Sequence, residues 1–180
     1  VLELAVDYMA LGLWDDAHAL LARRFPATGV VAEPGTALPQ DYPLVAYYRG
    51  YCAERAGRSG GEDFALASGQ STRYVFPNRP ESLVVLRRAT EANPEDATAR
   101  FLLGSLLLSG GQADAALAEW ERARALDPRL PVLHRNIGFT HLYARGAAPE
   151  ALRAFEEGMS ADPANVELYQ GADQALSLLG

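Results

Sequence analysis

The chain has 180 residues, 49% of them apolar, and a formal net charge of −7. That length and apolar content allow one domain with a sizeable core and speak against a disordered chain. All 16 basic residues are arginine against 23 acidic residues, with no dense basic run, which speaks against nucleic acid as a main partner.

A single cysteine, Cys52, excludes an internal disulfide. It lies in an apolar helical stretch, where a thiol packs as a small hydrophobe. No apolar run approaches the length of a membrane span and no leader is visible, so no membrane partner is expected. Both ends read as cuts in a longer chain. No feature of the sequence sets a compartment, and the cytoplasm is favoured.

In chain order, residues 1–11 and 14–24 read as a helix hairpin around Gly12. Residues 25–40, with Pro26, Pro34 and Pro39, read as an irregular connection. A tyrosine-rich helix follows over 41–56, then a shorter one over 62–68. A second irregular stretch, 69–80, carries Tyr74 and Phe76 between prolines and glycine. Val30-Val31 and residues 74–76 are too short to build a sheet. Helices are then expected over 79–92, 95–109 and 113–126. Gly110-Gly111 separates the last two, and Asp127-Pro128 stops the second, because the residue before proline avoids the helical region. The next pair is expected over 131–144 and 149–161, with one extra residue in the turn 145–149. A last helix covers 166–179.

The two Asp-Pro steps, Asp127-Pro128 and Asp162-Pro163, stand 35 residues apart, and the segments they close align inward. Leu103-Gly104 answers to Ile137-Gly138, Ala116 to Ala151, Trp120 to Phe155 and Ala123 to Gly158. Asn93-Pro94 closes an earlier segment in which Leu86 and Ala89 take the places of Trp120 and Ala123. A period near 34 residues is the signature of a solenoid, in which each hairpin hides its apolar face against its neighbours. The small residues let paired helices approach closely, and Trp120 and Phe155 fill the space between hairpins. Asp173 stands where Gly104 and Gly138 stood, which predicts looser packing of the last helix.

The pattern resembles the tetratricopeptide repeat, Trp-x-x-Leu-Gly-x-x-Tyr, then Ala-x-x-x-Phe, then Pro. Arg100, Leu103-Gly104, Leu107, Ala116, Trp120 and Pro128 take those places in one unit. His134, Ile137-Gly138, His141, Ala151, Phe155 and Pro163 take them in the next. The resemblance implies an all-α, right-handed superhelical solenoid of antiparallel hairpins with about nine to ten helices. It would form one array over 1–180, degenerate with long loops over 1–70 and regular over 79–180. In such arrays the first helix of each hairpin lines a concave face. The groove positions implied here are Tyr47, Tyr51, Phe101, Ser105, Arg135, Asn136, Phe139, Tyr143, Gln170 and Gln174. Residues 74–80, Tyr-Val-Phe-Pro-Asn-Arg-Pro, are also similar to the helical-repeat region of large bacterial proteins with a β-rich domain related to carbohydrate-active sandwiches.

The function implied is a non-catalytic scaffold that binds a protein or peptide in its groove. The alternative is a helical accessory region docking on a β-rich domain of the same chain. Self-association through the terminal helix is a third expectation. No cofactor is expected, and catalytic residues are absent from the reading. His134 and His141 lie two helical turns apart, too far to share a metal. The acidic pairs start helices or face solvent rather than opposing each other across a cleft. Gly60-Gly61 and Gly110-Gly111 lack the lysine and strand of a phosphate loop.

Overall fold

A computed structural model describes residues 1–26, 37–130 and 132–180. Those residues form ten α-helices and no strand. They are α1 (Leu2–Ala10), α2 (Trp14–Leu21), α3 (Pro43–Arg55), α4 (Gly61–Ser68), α5 (Glu81–Ala92), α6 (Ala97–Ser109), α7 (Ala113–Leu126), α8 (Leu133–Phe139), α9 (Ala148–Ala161) and α10 (Val166–Leu179). The expected connection at 25–40 lies largely outside the described residues, as do Val30, Val31, Pro34 and Pro131. Its described ends meet: the Gln40 side-chain amide donates to the Phe25 carbonyl at 2.9 Å and accepts from the Phe25 N–H at 3.1 Å.

Consecutive helices pack as hairpins, α1 on α2, α3 on α4, α6 on α7 and α8 on α9, and α10 closes on α9. Each hairpin hides a face that no single helix can cover, as in other helical arrays. The turns share one closure. After α6, Gly111 adopts φ +75°, and the N–H of Gln112 reaches back to the carbonyl of Leu107 at 2.9 Å. A left-handed residue here satisfies the last carbonyls of the helix, and glycine takes it without a Cβ penalty. The same five-residue return joins Leu13 to Tyr8 and Arg58 to Ala53.

The α8–α9 hairpin departs from this, and the departure corrects the sequence reading. There the return spans six residues, from Ala147 N–H to His141 carbonyl at 2.9 Å. The extra residue expected in the turn is instead absorbed inside the helix: α8 continues as a π turn over Thr140–Ala144. Such widened turns are found mostly as single insertions in helices, often at functional positions.

Close helix approach rests on aromatic rings set against glycines. A Cβ on Gly104 would lie 2.6 Å from the Trp120 ring and 3.0 Å from the Ala116 carbonyl oxygen. Trp120 is fully buried and its indole N–H donates to the Phe101 carbonyl at 3.0 Å. Phe155 touches two glycines: a Cβ on Gly138 of α8 or on Gly171 of α10 would each come within 2.4 Å of its ring. The looser packing predicted from Asp173 is therefore not found. Gly171, two positions earlier, gives α10 its close approach, and Asp173 faces solvent.

Upstream of α6 the arrangement changes. The repeat register makes α5 the second member of a hairpin, but its principal partners are α3 and α6. Tyr48 bonds to Ser82 at 2.8 Å, and the Arg88 guanidinium forks onto the Glu54 carboxylate at 2.7 and 2.9 Å. Both links join residues 34 apart and advance in the same direction, so α5 runs parallel to α3.

Candidate functional site

The groove is built from residues one and two turns apart on successive helices. On α6, Phe101, Ser105 and Leu108 recur at spacings of four and three, so they share one stripe. Leu102, Leu103 and Leu107 turn the other way into the core. On α8, Arg135, Asn136 and Phe139 form the matching stripe, and the π turn carries it on to Tyr143. Glu167 stands at the start of α10.

Between these helices lies a cavity of about 520 Å³. Phe101 and Trp120 line its inner end, and Leu108 and Val132 add apolar wall. Polar and charged side chains, among them Thr72, Arg73, Ser105, Asp162 and Asn165, line the rest. Arg135 pairs with Glu167 at 2.6 Å and directs two more N–H groups at the Asn136 side-chain oxygen, at 3.2 and 3.4 Å. That leaves the Asn136 amide N–H groups without a partner among the described residues. The Ser105 hydroxyl donates to the Phe101 carbonyl at 3.0 Å, so its lone pairs face outward as acceptors.

The cavity continues past Arg135 and Asn136 into a more open recess of about 490 Å³ lined by Phe139, Thr140, Tyr143 and Ala144. Phe139 stacks on Tyr143 with ring centroids 5.7 Å apart and planes at 3°, and meets Phe155 edge-on at 5.0 Å. Tyr143 donates its hydroxyl to the side-chain oxygen of Gln174. Gln170 is exposed on α10, away from both recesses.

Of the ten expected positions, Tyr47, Tyr51, Gln170 and Gln174 line neither recess, and Phe101, expected to be exposed, is only 2% exposed. Tyr47 is fully buried, not exposed in the groove, because α3 is covered by α4 and α5 and its phenol reaches the start of α6. There it donates to Asp96 at 2.9 Å. Asp96 also accepts from the Ala99 N–H at 2.8 Å, which caps α6. Burial raises the Asp96 carboxyl above the usual carboxylate range, and burial with the adjacent Asp96 charge raises the Tyr47 phenol. Tyr51 is half-buried against Trp14, edge to face at 6.2 Å, and Arg55 sits 4.9 Å above the same indole.

One wall of the groove was not assigned from sequence. Residues 72–76, in the irregular stretch before α5, line the 520 Å³ cavity. Tyr74 and Phe76 are 58% and 70% exposed, while Val75 beside them is buried. The signal was present as aromatic residues inside a proline-flanked loop, but nothing in a linear sequence says which surface a loop covers. No group of three His, Cys, Asp or Glu able to hold a metal occurs among the described residues. No helix there is long and apolar enough to cross a membrane.

Residues 78–131 match the tetratricopeptide repeat. No curated protein matches the chain. Among solved structures it is similar to YrrB, described as a TPR protein with an unusual peptide-binding site, at 20% identity and a TM-score of 0.50, over 94% of this chain and 71% of that one. It is also similar to TTC0263, a thermophilic TPR protein of Thermus thermophilus, at 20% identity and a TM-score of 0.47, over 97% of this chain and 96% of that one. With a tetratricopeptide-repeat match at 78–131 and an all-helical array around it, the chain is similar to tetratricopeptide-repeat proteins in that segment and in fold.

Proposed function

We propose that the chain is a non-catalytic scaffold that holds an extended protein or peptide segment in the groove between α6, α8 and α10. The observation that carries this reading is the groove itself. It joins two recesses through Arg135 and Asn136, with aromatic walls and free amide donors. Aromatic residues and arginine are favoured contact residues, and a side-chain amide matches the donors and acceptors of a peptide backbone. The likeness in fold to YrrB, a protein described as peptide-binding, is an analogy that points the same way.

The test is a random peptide library displayed on phage and selected on the purified chain. Recovered sequences are then made as labelled peptides and titrated. Asn136→Ala with Tyr143→Ala is expected to weaken binding by at least about tenfold. Recovery of no peptide, or of peptides whose binding ignores both substitutions, overturns the reading.

A further inference from the structure

The irregular segment 70–77 does more than connect α4 to α5. Three independent features tie it to the groove. Thr72 lines the 520 Å³ cavity, is only 3% exposed, and its hydroxyl oxygen has no hydrogen-bond partner among the described residues. Buried hydroxyls are almost always satisfied, so an orphan on a cavity wall marks a position where a bound group completes the bond. Tyr74 and Phe76 follow at alternate positions, both exposed and both lining the same cavity. Tyr74 (φ 60°) and Val132 (φ 57°) are the non-glycine residues with left-handed backbone among the described residues, and both line this cavity. Such conformations are costly for a side chain with a Cβ, most of all for a β-branched one, and they cluster where function requires them.

The chemistry of the walls indicates what fits. Arg135 is already matched by Glu167. Of the other charges lining the cavity, Arg73 and Asp162 are one of each sign. The charges therefore cancel, and no excess attracts a strongly charged ligand. What remains is an apolar interior of Phe101, Leu108, Trp120 and Val132 and the aromatic rim of Tyr74 and Phe76. The hydroxyl of Thr72 and the amide of Asn136 are left to bond a peptide backbone.

We propose that the groove selects an extended peptide of low net charge, anchored by a large apolar side chain seated in this cavity, and that residues 72–76 determine the selection. This rests on the peptide-binding reading above. A buried apolar anchor within a ring of contacts that exclude water is how a small site gains affinity. Thr72 gives the adjoining backbone a bond that water cannot supply at a buried position.

The test uses the same displayed library and two further variants of the whole chain: Tyr74→Ser with Phe76→Ser, and separately Thr72→Val. The rim residues are exposed, so the double variant is expected to melt as the wild type does. Recovered peptides should share one large aliphatic or aromatic residue and carry little net charge. The rim variant should weaken them by about tenfold or more, and Thr72→Val by about fivefold to tenfold. Thr72→Val keeps the shape of the side chain, so an unchanged melt with weakened binding separates a lost contact from a lost fold. Peptides that respond to Asn136→Ala and Tyr143→Ala but not to these variants overturn this proposal and leave the scaffold reading standing. Recovered peptides rich in one charge, without a shared apolar residue, also overturn it. Recovery of no peptide overturns both.

Discussion

The phenol of Tyr47, on α3, donates to both carboxylate oxygens of Asp96 at 2.9 Å, joining residues 49 apart in a fully enclosed position. Asp96 at the same time caps α6. One buried acid thus holds the start of the regular array against the irregular half. Tyr47→Phe removes the donor and leaves a buried acceptor short of one partner. The expected cost is about 1.5–3 kcal/mol, the range for hydrogen bonds to charged groups. Urea melts measure it, and a loss under about 0.5 kcal/mol would show the bond to be dispensable.

The same acid makes a pH prediction. Burial is the main cause of its raised pKa, and bonds from Ala99, Tyr47 and Thr98 oppose it in part. The folded chain therefore keeps the Asp96 proton to higher pH than the unfolded chain does. Its contribution is complete below the ordinary carboxylate value of 3.8 and is lost as pH rises through the raised folded value. Asp96→Asn carries no such dependence. The stability of wild type minus that of the variant should fall as pH rises from 4 toward neutrality. A difference that stays flat or grows with pH would contradict the raised value.

Phe155 and its two glycines predict a coupling. Phe155→Ala should cost about 3–5 kcal/mol, as for other large buried aromatics. Gly171→Ala places a methyl inside the ring contact and should cost about 1–3 kcal/mol, even though alanine favours a helix over glycine by up to about 1 kcal/mol. In the Phe155→Ala background the obstruction is gone, so Gly171→Ala should become neutral or stabilising. Additive costs across the double-mutant cycle would show that the ring and the glycine do not meet as described.

Trp120 makes the equivalent contact with Gly104, and its indole also bonds the Phe101 carbonyl. Trp120→Phe keeps most of the ring but leaves that carbonyl with only the Ser105 hydroxyl as side-chain donor. The expected cost is about 1–3 kcal/mol from cavity and lost bond together. Because Phe101 lines the groove, peptide affinity should fall with it. A destabilised variant with unchanged affinity would separate the core from the groove.

The π turn at Thr140–Ala144 gives the last prediction. Deleting Ala144, which is exposed, returns the hairpin to the five-residue closure of its neighbours. Stability should change by less than about 1 kcal/mol, as for other exposed positions. The stack of Tyr143 on Phe139 and its bond to Gln174 should be lost, and with them binding that depends on Tyr143. Fluorescence of a labelled peptide alongside thermal melts tests both halves.

Much of the array is written locally. Apolar residues at spacings of three and four, Gly111 after α6 and proline after α7 and α9 act within a few residues, so helices and turns were legible from α5 onward. Gly104 and Trp120 lie 16 residues apart within one repeated unit, so periodicity alone paired them. Helical phase puts Phe101, Ser105, Arg135 and Asn136 on matching stripes, and they line one cavity, although Phe101 is buried rather than exposed. Tyr47 carried the same phase and lies in the core.

The amino-acid order thus decided the helices, their turns and the contacts internal to a hairpin, because those interactions join residues whose geometry a helix or turn already sets. The folded arrangement alone decided the rest: the parallel course of α5 beside α3, the enclosure of Tyr47 on Asp96, the use of Gly171 rather than position 173, and residues 72–76 as a groove wall. Each of these depends on how separate segments meet in space. Residues distant along the chain share no helical phase, and only packing chooses which faces they bury.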